Sequence, residues 1–198
     1  AYDAAHPTRN IVGFPIDNQD YRQKAQEILD VLPKAAYELI CPVREAELIK
    51  YGGNNWFYFK VIFINMLYDM SAKMNCRWEV IRNAMAADPR IGSSHLNPVH
   101  RTGESGGEAG LALNFNDLHL EPIHKGGRGA GGHCFIKDFA AFSQSYKEIV
   151  GDSAGLEVLE SIKNKNIDLL VSSKKDLDIL AGVYGEEIIA DNLQRSLS

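Results

Sequence analysis

In Gly129-Ala-Gly-Gly-His-Cys-Phe-Ile-Lys-Asp138 a cysteine stands just after a flexible Gly-Gly turn, with a lysine three residues further on and an aspartate four. If Phe135 to Asp138 open a helix, Cys134 sits at its N-terminus, where backbone N–H groups and the macrodipole stabilise a thiolate. Asp138, one turn on, shares that face and is placed to handle a proton. A free cysteine is more often a small buried hydrophobe than a nucleophile. Here Gly131 and Gly132 permit close approach, and Lys137 and Asp138 bring charge that a buried structural thiol does not want.

A second group lies in Glu45-Ala-Glu-Leu-Ile-Lys-Tyr-Gly-Gly-Asn54. Lys50 and Asn54 are i, i+4 and share a helix face, so an ammonium and a carboxamide there can together hold an oxyanion. The plainer reading of that spacing is a solvated polar stripe. Gly52 and Gly53 each cost a helix roughly 1 kcal/mol relative to Ala, which predicts something packed tightly against the backbone at that point.

The elements that must carry these residues are readable along the chain. Asn10-Ile-Val-Gly-Phe14, ended by Pro15, reads as a strand, and Asp17 can cap a helix whose face is Tyr21, Ala25, Ile28, Leu29 and Leu32. Ala36 to Ile40 reads as a second short strand. A sheet of two strands cannot cover its own faces. A helical pattern without proline runs from about Val43 to Asn75, apolar nearly all round in its second half, as in a subunit interface or a buried core helix. Arg77 to Ala87 forms a shorter helix ended by Asp88-Pro89. Helices follow at Phe139 to Val150, Leu156 to Leu170 and Asp176 to Tyr184, the last stopped by Gly185; the tail from Glu186 carries no clear pattern.

Residues 92–133 form a long loop rich in Gly, His and Asn, a length that tends to be functional. It contains a duplication: His95-Leu-Asn-Pro-Val-His-Arg-Thr-Gly103 resembles His119-Leu-Glu-Pro-Ile-His-Lys-Gly-Gly127 at an offset of 24 residues. His95, His100, His119, His124 and His133 gather beside Cys134, a set with zinc-compatible donors. The His-x4-His spacing is not that of a finger, and duplication accounts for the count, so the expectation is no metal.

Bulk properties narrow the class. The 198 residues, 45% apolar, suffice for one domain or slightly more, and the net charge of −5 gives no basic footprint for nucleic acid. Three widely separated cysteines (Cys41, Cys76 and Cys134) argue for a reducing cytosol over a disulfide framework. Trp56 to Met70, the strongest apolar run, is broken by Lys60, Asn65 and Asp69 and is shorter than the ~20 residues a span needs. A soluble, cytoplasmic protein is expected. The chain opens without Met, in mid-pattern, which predicts a piece of something longer.

Four segments in order, Glu47-Leu-Ile-Lys-Tyr-Gly-Gly-Asn54, Phe63-Ile-Asn65, Asp88-Pro-Arg-Ile-Gly92 and Gly129-x-Gly-Gly-His-Cys-Phe-x-Lys-Asp138, together resemble the central domain of the UDP-glucose/GDP-mannose dehydrogenase family. The likeness covers about residues 5–150. It implies a mainly α fold: a long-helix central dimerisation domain over 43–150 with an insert at about 98–124. Residues 1–42 would be the β-α-β tail of an NAD-binding Rossmann-type domain, and 151–198 a C-terminal helical extension. It further implies an NAD-dependent nucleotide-sugar 6-dehydrogenase, most simply acting on a UDP-hexose such as UDP-glucose, and a homodimer through the long helix.

Under that resemblance Cys134 is the nucleophile that carries the oxidised C6 as a thiohemiacetal and then a thioester. Lys50 stabilises the oxyanion, Asn54 holds the water or oxygen beside it, and Asp138 serves as base or orients the water. Arg90 reaches toward the partner's sugar nucleotide, Gly131 and Gly132 let substrate lie against backbone, and Lys137 adds a substrate contact. Ala130 and Ile136 stand where the family usually has Phe and often Pro. No Gly-x-Gly-x-x-Gly is read after a strand and opening a helix, so the main NAD site is expected outside this chain. The alternatives are a non-enzymatic helical dimerisation module and a His-rich zinc-binding loop protein.

Overall fold

The computed structural model describes residues 5–100 and 126–195. The chain is mainly α and divides into two compact units, Ala1–Gly53 and Asn54–Ser198.

In the first unit, β1 (Arg9–Phe14) and β2 (Tyr37–Pro42) pair in parallel from Arg9↔Tyr37 to Phe14↔Pro42, joined through α1 (Gln19–Val31). Val12, Ala25 and Leu29 make its small core with Ile40 packed against them. Asn18, not Asp17, caps α1: its side chain accepts from the Tyr21 N–H at 2.9 Å. Asp17 is instead taken by Arg22 at 2.7 Å, whose hydrogen bonds hold that carboxyl below its usual range.

The boundary between the units falls inside α2 (Val43–Lys73), a 31-residue helix. Among the described residues nothing lies within 4 Å of a side chain added at Gly52, so the expected tight packing is absent there; Gly53 has only the Arg9 guanidinium, 3.4 Å away. In the second unit α2 buries Tyr58, Val61, Ile62, Ile64 and Asn65 while Trp56, Phe63, Met66 and Met70 stay exposed. A helix apolar on both faces has thus covered one of them.

The covered face meets three other parts of this unit. Ile64 packs with Trp78 of α3 (Trp78–Ala86) and with Leu96. Tyr58, Val61 and Ile62 pack with Ala130, Leu159 of α5 (Ser153–Ser173) and Phe139 of α4 (Gly132–Ile149). The Tyr58 and Phe139 rings stack with centroids 4.1 Å apart. A further cluster joins Ile136, Ile167, Leu170 and Val171 to Ile179 and Leu180 of α6 (Leu177–Tyr184). Gly185, at φ +95, ends α6 as the sequence suggests. The tail then forms a helix the sequence did not reveal, α7 (Glu187–Arg195), tied down by Ile188 and Ile189 on that cluster and by an Asn192–Asp168 hydrogen bond.

Two residue pairs, Val99↔Arg128 and His100↔Gly127, form a short antiparallel ladder of β3 (Val99–His100) and β4 (Gly127–Arg128). The ladder stands immediately before the glycine turn. Residues 101–125, including His119, His124 and most of the duplicated segment, lie outside the described residues.

Phe139→Ala empties the stacked site against Tyr58. It should cost about 3–5 kcal/mol in denaturant unfolding; a loss under about 1 kcal/mol would contradict this packing.

Candidate active site

The loop Gly127–Gly132 leads into α4 with Gly129 and Gly132 at positive φ, +91 and +81, conformations that glycine adopts freely. Its backbone is bound from outside. Asn166 of α5 accepts from the Ala130 N–H at 2.7 Å and donates to the Ala130 carbonyl at 3.0 Å. Ser173 accepts from the Arg128 N–H at 3.1 Å. Lys175, wholly buried, donates to the Gly129 carbonyl at 3.0 Å, and Asp176 accepts from the Gly132 N–H at 2.8 Å. Arg128 anchors the loop's other side on α2, through the Asn65 side chain at 2.7 Å and the Asp69 carboxylate at 2.7 Å.

Cys134, exposed, is the third residue of α4, as its position after the glycines predicts. Asp138 stands one turn further on and is buried, where it accepts from the Asn54 amide at 2.6 Å. Asn54 of α2 is thus brought to Asp138, 84 residues away, on the helix that carries Cys134. Lys137 reaches the Asp138 carboxylate only at 4.0 Å and is itself mostly exposed, a weak pairing. Gly131 and Gly132 are buried in the loop. Lys50 belongs to the unit Ala1–Gly53, where its ammonium lies 5.3 Å from the Tyr51 ring centroid.

Arg90 lies apart from this cluster, its side chain exposed and gripped by Asp88 at 2.6 Å. The Arg90 side chain and N–H hold the Asp88 carboxyl below its ordinary range. A cavity of about 310 Å³ runs past Arg90 between Trp56, Phe59, Lys60, Phe63 and Leu96. Lys60 shapes this region by donating from its buried ammonium to the carbonyls of Ile91 (2.9 Å) and Gly92 (3.3 Å), and burial pushes its pKa down. Sequence reasoning treated Lys60 as a break in an apolar run; a lone lysine inside such a run was the available signal.

Of the clustered histidines, His133 is exposed. His95 takes a left-handed backbone, stacks on Phe57 at 4.4 Å and tilts against Phe135 at 5.8 Å. Burial, with the nearby Lys60 charge, pushes its pKa down and favours the neutral ring. Among the described residues no group of three or more His, Cys, Asp or Glu is placed to hold a metal ion.

Gly127-Arg-Gly129-Ala-Gly131-Gly132 has the spelling Gly-x-Gly-x-x-Gly between a strand and a helix, a match that sequence reasoning missed. It does not fit a dinucleotide. A pyrophosphate needs the loop's free N–H groups at the helix N-terminus, whereas those of Ala130 and Gly132 are taken by Asn166 and Asp176. The Asp176 carboxylate also fills the space beside Gly131. The preceding strand has two residues in an antiparallel pair, not a βαβ unit.

The arrangement is a helical domain that presents an exposed thiol beside a buried, amide-held carboxylate. The sequence model of the UDP-glucose/GDP-mannose dehydrogenase family, central domain, matches residues 44–109. UDP-glucose 6-dehydrogenase YwqF of Bacillus subtilis is 27% identical over 187 residues, 94% of this chain and 35% of that protein. UDP-glucose 6-dehydrogenase of Rickettsia bellii is 26% identical over 192 residues, 96% of this chain and 36% of that protein. A UDP-glucose dehydrogenase structure from the archaeon Pyrobaculum islandicum shares the fold at a TM-score of 0.59 and 20% identity, over 91% of this chain and 33% of that one. Residues 44–109 carry the central domain of the UDP-glucose/GDP-mannose dehydrogenase family. The chain spans about a third of the length of the two dehydrogenase relatives.

Asn54→Ala removes a donor from the buried Asp138 carboxylate and should destabilise the chain by about 1–3 kcal/mol. Unfolding at neutral pH measures it, and an unchanged midpoint would show that this hydrogen bond contributes nothing.

Proposed function

We propose that this chain is the catalytic middle of an NAD-dependent nucleotide-sugar 6-dehydrogenase that converts a UDP-hexose, most simply UDP-glucose, to its uronate. The observation that supports this reading most is the Asn54–Asp138 hydrogen bond of 2.6 Å, one helical turn from an exposed Cys134. Sulfur needs an approachable side and a proton-handling group within reach, and both are present on one helix.

Oxidation of the sugar draws on NAD, for which the described residues provide no cradle; the chain's own side chains make and break the bonds to sulfur. The Cys134 thiolate adds to the C6 aldehyde, forming a C–S bond as the carbonyl π pair moves to oxygen, which takes up a proton. When a thioester is present at C6, Asp138 accepts a proton from water as the water attacks. The C–S bond then breaks, releasing the uronate and returning the thiolate. Lys50 steadies the oxyanions of these steps, and Asn54 helps to hold the water or oxygen. Lys137 contacts the nucleotide sugar, and Arg90 reaches toward the nucleotide sugar of a second copy. A general base one turn from the nucleophile, buried and aimed by an amide, is suited to hydrolysing a thioester without exposing the carboxylate to bulk water.

A homodimer is part of this reading. Trp56, Phe63, Met66 and Met70 expose large apolar surface along one stripe of α2, and a second copy of the same stripe would cover it. No helix of the described residues is long and apolar enough to cross a membrane, which leaves self-association as the plainer use for that surface.

Two measurements test the proposal. The complete gene product should reduce NAD in the presence of UDP-glucose and form the uronate, and Cys134→Ala should form none. Uronate formation that survives Cys134→Ala removes the cysteine from the mechanism. Phe63→Asp should raise the dimer dissociation constant at least about tenfold in sedimentation; a monomeric wild-type chain would remove the dimer from the reading.

A further inference from the structure

We propose that Lys175 and Asp176, in the turn between α5 and α6, are positioning residues for Cys134, acting as an external cap and clasp on the glycine loop. The inference rests on the reading of Cys134 as the reactive group.

A helix leaves its first N–H groups without acceptors unless something caps them. The N-cap of α4 is Gly131, which has no side chain to offer. The acceptor arrives from 44 residues away, as Asp176 takes the Gly132 N–H at 2.8 Å. Asp176 is itself the N-cap residue of α6, a place where aspartate ordinarily bonds its own helix. It makes no side-chain cap bond there. Its backbone is left-handed, at φ +50, a conformation that aspartate tolerates better than most residues. The carboxylate thus serves α4 instead of the helix it begins.

Lys175 adds the second half of the clasp. Its side chain is wholly buried, and its ammonium donates to the carbonyls of Gly129 (3.0 Å) and Gly127 (3.4 Å). A buried charge is costly unless hydrogen-bonded, so this lysine is committed to the loop backbone. Its neighbour fixes the end of that loop, two residues before the thiol. The loop is shaped to receive both: a side chain at Gly131 would meet the Asp176 carboxylate and Lys175 Cε, and one at Gly127 would meet Lys175 Cβ at 2.9 Å. Two adjacent buried charges directed at one backbone segment are more than packing requires, because apolar side chains of similar volume can fill a core as well. What the pair's hydrogen bonds add is a fixed orientation for the peptide planes that lead to Cys134.

The test compares Asp176→Ala with Asp176→Asn in the 198-residue chain, since Asn keeps an acceptor at the cap and removes only the charge. Hydrogen exchange is followed across 131–135, and iodoacetamide alkylation of Cys134 is measured against the exposed Cys76 over a range of pH. Asp176→Ala should speed exchange in that segment and lower the Cys134:Cys76 ratio by about threefold or more, the scale of a lost helix cap. Asp176→Asn should keep both near wild type. If Asp176→Ala does not fold, Asp176→Glu, which keeps the charge but displaces the oxygen, takes its place with the same expectation. Unchanged exchange overturns the clasp; faster exchange with an unchanged ratio and pH profile leaves a purely structural cap and overturns positioning. A wild-type ratio of one would instead refute the nucleophile reading, and exchange alone would then decide the clasp.

Discussion

The second unit is organised around how a glycine-rich backbone segment can be held still. A loop with glycines at 127, 129, 131 and 132 has little side-chain surface with which to anchor itself, and glycine loses more conformational freedom on ordering than any other residue. Ordering here comes from hydrogen bonds to the backbone: Asn166 satisfies both polar groups of Ala130, Ser173 and Lys175 hold Gly127 to Gly129, and Asp176 takes the Gly132 N–H. Arg128 ties the opposite edge to Asn65 and Asp69. The helices that supply these groups must first pack on one another, which Ile167, Leu170, Val171, Ile179 and Leu180 achieve with Ile136 of α4. The hydrophobic cluster and the polar clasp therefore depend on one another.

The same arrangement explains how a thiol and a carboxylate can share one helix in different environments. Cys134 is exposed on the first turn; Asp138, one turn on along the same face, is buried and meets Asn54 from α2. Phe139 beside it stacks on Tyr58, so the helix cannot rotate without breaking an aromatic contact. Packing thereby holds α4 with its thiol exposed and its carboxylate buried one turn away, the arrangement that a nucleophile with a separate proton-handling group requires.

Much of this was legible in the residues. Periodicity located the long helix, the helix after the cysteine and the stop at Gly185, and the order of four short motifs pointed to the family. The clasp was not legible, because Asn166, Lys175 and Asp176 meet their targets across 36 to 48 residues of sequence, and Lys174-Lys175-Asp176 reads locally as solvated charge. Lys60 was hidden for the opposite reason: it lies within an apolar run, and only the position of the Ile91 and Gly92 carbonyls explains a buried ammonium there. The expectation at Gly52 failed because glycine's cost in a helix says that something needs explaining, not what lies nearby. The helix α7 went unseen since its few apolar residues make sense only against the cluster that α5 and α6 build.

The central claim, that substrate carbon is carried on the sulfur of Cys134, is tested most directly by trapping it. The complete gene product would be mixed with UDP-glucose and NAD, quenched in acid during turnover, and its peptides weighed. The account predicts an acyl adduct of the sugar nucleotide on the peptide containing Cys134, and on neither Cys41 nor Cys76. Uronate accumulating with Cys134 unmodified at every time point, and unaffected by prior alkylation of that residue, would contradict it.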